Sequence, residues 1–320
     1  MKELKCVVNC AKINKAIAAY RKPVILMAKA NCYGLGLEVA RAVQDAVVAF
    51  GVAFGEEGVA LRRLCDKPIL ITTPWWTLSD VLRCRLSPMI QSVEDARRIG
   101  QATQSCGVQI KLNSGMNRFG ISSVAELRQV LAVLRANPNI YIAGAYTHYA
   151  SASRYEEQNK RLAPMLAALP KGICVHTQAT STADRAGFDA LRVGLGAYRD
   201  SVRLYSRVIA THRVHRGEQV GYDGIYTAQG SEYLAVMIGG YADGLAKALV
   251  GHLVSIKGRY YPIVAVCMDV CILRVSPMVN VGDEVAVLGE TPLPKGLTLY
   301  ETYTGLHGRC RFEYEYTTEI

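Results

Sequence analysis

The chain has 320 residues, half of them hydrophobic, with 37 Lys and Arg against 27 Asp and Glu and a formal net charge of +10. That length suits one large domain or two ordinary ones, and the apolar content supports a sizeable core. No stretch of about eighteen apolar residues is free of charge, and the opening "MKELKCVVNCAKINK" is too briefly apolar for a secretory signal, so neither a membrane span nor export is expected.

Short runs rich in Val and Ile predict strands at 24–28, 49–53, 68–73, 87–91, 108–112, 141–147, 172–177 and 190–194. Between them, apolar residues recur every three or four positions, as in "VEDARRIGQATQS" (93–105) and "SVAELRQVLAVLRAN" (123–137), which predicts helices. The strands are continuous apolar runs, as in a parallel sheet covered on both faces. Eight of them with intervening helices predict a (β/α)8 TIM-like barrel over 1–204, with a doubly wound open sheet as the alternative. The first few residues are left free to pack with the β domain. After about residue 204 the helical period fades. "RLYSRVIATHRV", "YLAVMIGG", "HLVSIKGRYYPIVAVCMDVCILRV" and "DEVAVLG" alternate with turn signals at Lys257-Gly258 and Gly282-Asp283, predicting a mostly β C-terminal domain at 205–320.

The ten cysteines include "CVVNC" and "CMDVC" but no paired C-x2-C motif, so they read as core thiols of a cytoplasmic protein, with no metal site. Lys and Arg are scattered without aromatic interleaving, so nucleic acid is not the expected partner. A basic pocket for an anionic substrate or cofactor accounts for the charge equally well.

In a barrel of this kind, chemistry sits at the carboxyl ends of the strands. There the sequence places Lys29 after strand one, in "VILMAKANCYGLG", Arg118 after strand five, and His148 after strand six. Thr180 and Ser181 follow strand seven, and Arg192 and Gly194 lie in strand eight. Hydroxyls and backbone N–H groups after the last two strands suit a phosphate. A strand-end lysine facing such a site suits a Schiff base to pyridoxal 5'-phosphate.

"MAKANCYGLG", "KLNSGMNRFGIS", "THYA", "LRVGLGAY", "VGYDGIYTAQ", "IGGYADGLAKAL", "VCMDVCILRV" and "LTLYE" together resemble the successive sequence blocks of bacterial alanine racemases, from Val24 to about Glu301. The resemblance implies a homodimer that interconverts L- and D-alanine with pyridoxal 5'-phosphate, supplying D-alanine for peptidoglycan. It implies that Lys29 holds the cofactor and acts as one base. Tyr222, from the other subunit, would be the opposing base. Tyr222 would take the α-proton of the L enantiomer and Lys29 that of the D. Tyr33, Gly194, Leu195, Tyr300 and either Thr180 or Ser181 would surround the phosphate. Arg192 would face the pyridine nitrogen, and His148 would stand between Arg192 and Tyr222. Arg118 and the backbone of Met268 would meet the substrate carboxylate, and Tyr241 would line the entrance. Lys111 matches a lysine that is carbamylated in some members.

The sequence departs from the family pattern at Leu35, Asn113 and Ala179-Thr180, and its stretch before Glu301 is shorter. These departures bear on substrate range more than on reaction type. The alternatives are a racemase of serine or another small amino acid, and a non-catalytic pyridoxal-phosphate-binding protein, which would resemble the barrel alone.

Overall fold

The computed structural model describes residues 4–178, 187–306 and 309–317. The chain forms two compact units, one of Asn14–Cys32 and Ala40–Ala197, the other of Met1–Ile13, Tyr33–Val39 and Tyr198–Ile320.

In the first unit, Val24–Met27, Ala49–Val52 and Ile69–Ile71 pair in parallel, in that order. Leu86–Ser87 continues the sheet, and Met89–Ile90 pairs onward with Cys106–Lys111. Pro88 alone separates these two short pieces, so they act as one strand. Proline has no N–H for the ladder, but its carbonyl still accepts from Gln109 at 3.0 Å. Ile140–Tyr146, Cys174–Gln178 and Ala190–Val193 follow, and the last pairs with Val24–Met27. Among the described residues, eight parallel strands therefore close into a barrel, and the open-sheet alternative falls.

Three of the barrel helices begin at side-chain caps. Ser92, Thr77 and Ser123 accept the backbone N–H of Asp95, Asp80 and Glu126 at the starts of Val93–Ile99, Leu78–Arg83 and Val124–Arg135. Val124–Arg135 buries Leu127, Val130, Leu131 and Leu134, the stripe its apolar period demands.

The second unit is built on antiparallel strands. The long strand Val202–Val214 pairs through its second half with Glu232–Ile238 and through its first half with Glu284–Leu288, the register shifting between Val208 and Ala210. Val270–Val275, Arg259–Val266 and Leu253–Ile256 complete the circuit between those two neighbours. Lys5–Asn9 pairs with Val202–Tyr205 on one side and with Arg311–Glu315 on the other, so the N-terminal strand belongs to this unit. The helix Leu299–Gly305, capped by Thr298, was not displayed by the apolar pattern of its stretch.

None of the ten cysteines forms a disulfide, and eight of them are buried. No helix is long and apolar enough to cross a membrane, and no His, Cys, Asp and Glu cluster that could hold a metal occurs among the described residues.

Candidate active site

Lys29 stands two residues beyond Met27, the carboxyl end of the first barrel strand. The backbone after it is unusual. Ala30, Asn31, Cys32 and Tyr33 have φ of 51°, 55°, 54° and 59°, one turn of left-handed helix without a glycine. Each L-residue held there costs about 1–2 kcal/mol. The turn is tied down by the Cys32 N–H on the Ala28 carbonyl at 3.0 Å and the Ala30 N–H on Glu57 Oε1 at 2.7 Å. The other Glu57 oxygen accepts from Ala53 N at 2.7 Å and Phe54 N at 3.3 Å. One carboxylate therefore braces two adjacent strand-end loops. Gly34 then sits where a Cβ would run into the Tyr303 carbonyl, which only glycine avoids.

Positive charge gathers at this end of the barrel. Desolvation, then Arg118 and Arg192, lower the pKa of Lys29, with Glu57 opposing them. Lys111 ends its strand buried, and desolvation together with Arg192 and Arg118 holds its pKa well below the usual lysine value. Among the described residues no carboxylate pairs with Lys111. His148 is pulled down to about 3 by desolvation, then by Arg192, Lys111, Arg118 and Lys29. His148 thus feels all four basic side chains, and the site favours anions. Asn113 shapes the loop that carries Arg118. Its Oδ1 accepts from Gly115 N and Asn117 N, while its Nδ2 donates to Asn117 Oδ1 and Ser122 Oγ. An aspartate there would lack that donor pair.

Arg192 is buried, and desolvation lowers its pKa to about 10. Its Nη1 donates to His176 Nδ1 at 2.8 Å and its Nη2 to the Thr147 carbonyl. The His176 ring stacks on Tyr146, centroids 5.0 Å apart and planes 10° from parallel. Arg192 and Lys111 lie 4.6 and 4.9 Å from the centroid of the same tyrosine. Gly194 and Leu195 follow directly, opening the short helix Leu195–Tyr198.

In the second unit, Tyr222, Tyr241 and Met268 ride on neighbouring turns. A Cβ on Gly221 would meet Ala265, two residues before Cys267. Tyr241 N and Ala242 N donate to the Cys267 and Met268 carbonyls, each at 3.0 Å. Tyr222 is 60% exposed, Ile225 58% and Met268 46%, an apolar surface in the isolated chain. Tyr33 and Tyr300 come together, ring centroids 5.7 Å apart, with Tyr198 on Tyr33 at 5.2 Å.

Residues 7–202 match the family "Alanine racemase, N-terminal domain" and residues 201–318 match "Alanine racemase, C-terminal domain". The chain belongs to the alanine racemase family. A curated alanine racemase from Listeria monocytogenes serotype 4a (strain HCC23) is 30% identical over 294 residues, 82% of this chain and 80% of that protein. The crystal structure of alanine racemase from E. faecalis superposes with a TM-score of 0.88 at 25% identity, covering 98% of both chains. That of alanine racemase from Bartonella henselae with covalently bound pyridoxal phosphate superposes with a TM-score of 0.84 at 21% identity, covering 98% of this chain and 99% of that one.

Within this racemase fold the barrel unit brings Lys29, Lys111, Arg118 and Arg192 within electrostatic reach of His148. Thr180 and Ser181 lie outside the described residues. The sequence reading missed Glu57, His176 and Gln109. It also missed Arg309, which grips Asp243 through Nε at 2.7 Å and Nη2 at 2.9 Å and Asp269 through Nη1 at 2.7 Å. The aspartates of "GYADG" and "CMDV" therefore anchor the turns that carry Tyr241 and Met268. The available signal for His176 and Gln109 was polarity inside otherwise apolar strands, "CVHTQ" and "CGVQIK".

Proposed function

We propose that the chain is an alanine racemase dependent on pyridoxal 5'-phosphate, with each active site shared by two copies, supplying D-alanine for cytoplasmic peptidoglycan precursors. The observation that carries this reading is the cluster of Lys29, Lys111, Arg118, His148 and Arg192, in which Lys29 has its proton affinity lowered by burial and by the two arginines. That donor set fits a phosphate-bearing aldehyde and an amino-acid carboxylate. When bound, the cofactor acidifies the Cα–H of the amino acid by delocalising the charge left behind.

Lys29 would hold the cofactor through its aldehyde and would move a proton at one face of the substrate Cα. Tyr222 of the partner subunit moves a proton at the opposite face. Two bases on opposite faces invert Cα without turning the substrate over. The exposure of Tyr222, Ile225 and Met268 supports a surface covered by a second copy. Arg118 and the Met268 backbone bind the carboxylate, and Tyr241 lines the entrance. Tyr33, Gly194, Leu195, Tyr300 and a hydroxyl of Thr180 or Ser181 hold the phosphate. Arg192 would meet the pyridine nitrogen, where its positive charge would disfavour a proton, leaving a weaker electron sink and discouraging transamination. His148, kept neutral by its surroundings, stands between Arg192 and Tyr222 of the partner subunit. The depressed pKa of Lys111 suits reaction of its free amine with CO2, giving a carbamate and a proton; the new negative charge would steady Arg118.

The test is direct. Purified protein given pyridoxal phosphate should absorb visible light, borohydride should fix the label on Lys29, and alanine should racemise in both directions. Lys29→Ala should abolish all three. Undiminished racemisation by that variant would overturn the proposal.

A further inference from the structure

The barrel interior holds a chain of hydrogen bonds that ends on Arg192. Ser87 Oγ donates to the Gly107 carbonyl at 2.7 Å. A carbonyl cannot donate, so the single hydroxyl proton of Ser87 is committed there. Ser87 Oγ is therefore an acceptor toward Gln109, whose Nε2 donates to it at 3.3 Å. That orientation leaves Gln109 Oε1 against His176 Nε2 at 3.0 Å. An amide oxygen only accepts, so the imidazole proton is on Nε2. Nδ1 is left bare, which is what the donor-only guanidinium of Arg192 needs at 2.8 Å. The direction agrees when read from either end.

The surroundings fix the same arrangement. Gln109 and His176 are buried among strands that the barrel packs from both sides. A Cβ on Gly144 would lie 2.7 Å from Gln109 Oε1 and 2.8 Å from the Cys174 carbonyl, so the glycine makes room for the amide. Tyr146 sets the plane of the imidazole by stacking. Desolvation, with Arg192 and Lys111, keeps His176 neutral.

We propose that Gln109 and Ser87 are positioning residues, which hold His176 in its Nε2–H tautomer and through it aim Arg192 at the cofactor ring. The second half rests on the reading that Arg192 faces the pyridine nitrogen; the first half does not. Ser87 bonds Gly107 and Gln109, and Gln109 bonds His176. Their effect passes through the one imidazole that shares a hydrogen bond with each neighbour.

The experiment is 15N NMR of histidine-labelled holoenzyme and of the cofactor-stripped protein, with kinetics on Gln109→Glu, Ser87→Ala and Ser87→Thr. In the native protein His176 should show a bare Nδ1 and a protonated Nε2 in both forms. Gln109→Glu puts a carboxylate against Nε2–H and should draw a second proton onto the ring. Both nitrogens then donate, and the contact with Arg192 is lost. The visible spectrum of the bound cofactor should shift, and kcat should fall about ten-fold or more with little change in KM for alanine. Ser87→Ala, a milder change that keeps the strand, should speed exchange of the Gln109 amide protons and lower kcat a few-fold, and Ser87→Thr should restore both. A proton on Nδ1 in the native protein, or a neutral His176 in Gln109→Glu, overturns the relay. A doubly protonated His176 with unchanged spectrum and kcat leaves the relay standing and overturns the placement of Arg192 at the cofactor.

Discussion

The carboxylate of Glu57 accepts the backbone N–H of Ala30 at 2.7 Å, and so clamps the left-handed turn that begins just after Lys29. The same group is the negative charge that opposes the lowering of the Lys29 pKa by Arg118 and Arg192. One side chain thus serves both the geometry and the electrostatics of the lysine.

Glu57→Gln separates these roles. Glutamine keeps one acceptor oxygen, so at least one of the N–H groups of Ala30, Ala53 and Phe54 loses its partner. The expected loss of stability is about 1–3 kcal/mol. Lys29 also loses its opposing negative charge, so its pKa falls further and more of the amine is free at a given pH. The rate of cofactor capture by stripped protein, followed by absorbance against pH, should therefore rise at lower pH than in the native protein. An unmoved profile would make Glu57 a backbone clasp alone.

Stability should fall in mild acid. The His148 pKa is lowered from 6.5 to about 3, by desolvation first and then by its cationic neighbours. Below about pH 6.5 the unfolded chain binds a proton at this residue that the folded chain refuses, so the stabilisation is complete above that pH and drains away as pH drops toward about 3. His176 is shifted in the same direction. His148→Gln should flatten the dependence by up to about 1.4 kcal/mol per pH unit in that window. Denaturant midpoints of the cofactor-free protein against pH measure it, and parallel curves for the two proteins would contradict it.

The barrel was legible because strands buried on both faces read as continuous apolar runs. Lys29, Arg118, His148 and Arg192 were legible because a barrel confines its chemistry to the strand ends. Gln109 and His176 were not. They lie 67 residues apart and meet only once the strands have closed into a ring. Arg309, 66 residues from Asp243, was hidden for the same reason. The left-handed turn was invisible for a different one: of Ala30, Asn31, Cys32 and Tyr33, only asparagine has any local preference for that region. Tertiary ties impose the conformation, and no local pattern announces them. Tyr222 and Met268 stood out only by family resemblance, since exposed residues on turns of a β unit carry no period.

A shared site makes a quantitative claim about mixed dimers. Lys29→Ala and Tyr222→Phe should each be inactive as racemases alone. A dimer of one subunit of each kind has one site with both defects and one with neither. Random exchange makes about half the dimers mixed, so activity should recover to about a quarter of the native value. No recovery after proven subunit exchange would show that each chain supplies both bases to its own site.

Removing one of two opposed bases should affect the two enantiomers unequally. Tyr222→Phe keeps the ring and deletes the hydroxyl, and with Tyr222 60% exposed its own unit should pack as before. Lys29 remains, so the cofactor should stay bound. If Lys29 serves the D enantiomer, exchange of the α-proton of D-alanine with solvent deuterium should survive in part, with the D configuration retained. If Tyr222 serves the L enantiomer, exchange from L-alanine should fall much further, and racemisation should fall with it. A positioned general base supplies about 10²–10⁴-fold in rate, so the asymmetry is well within the reach of proton NMR. Equal residual exchange from both enantiomers would mean that one base, or water, serves both faces. The two-base assignment would then fail even though the protein racemises alanine.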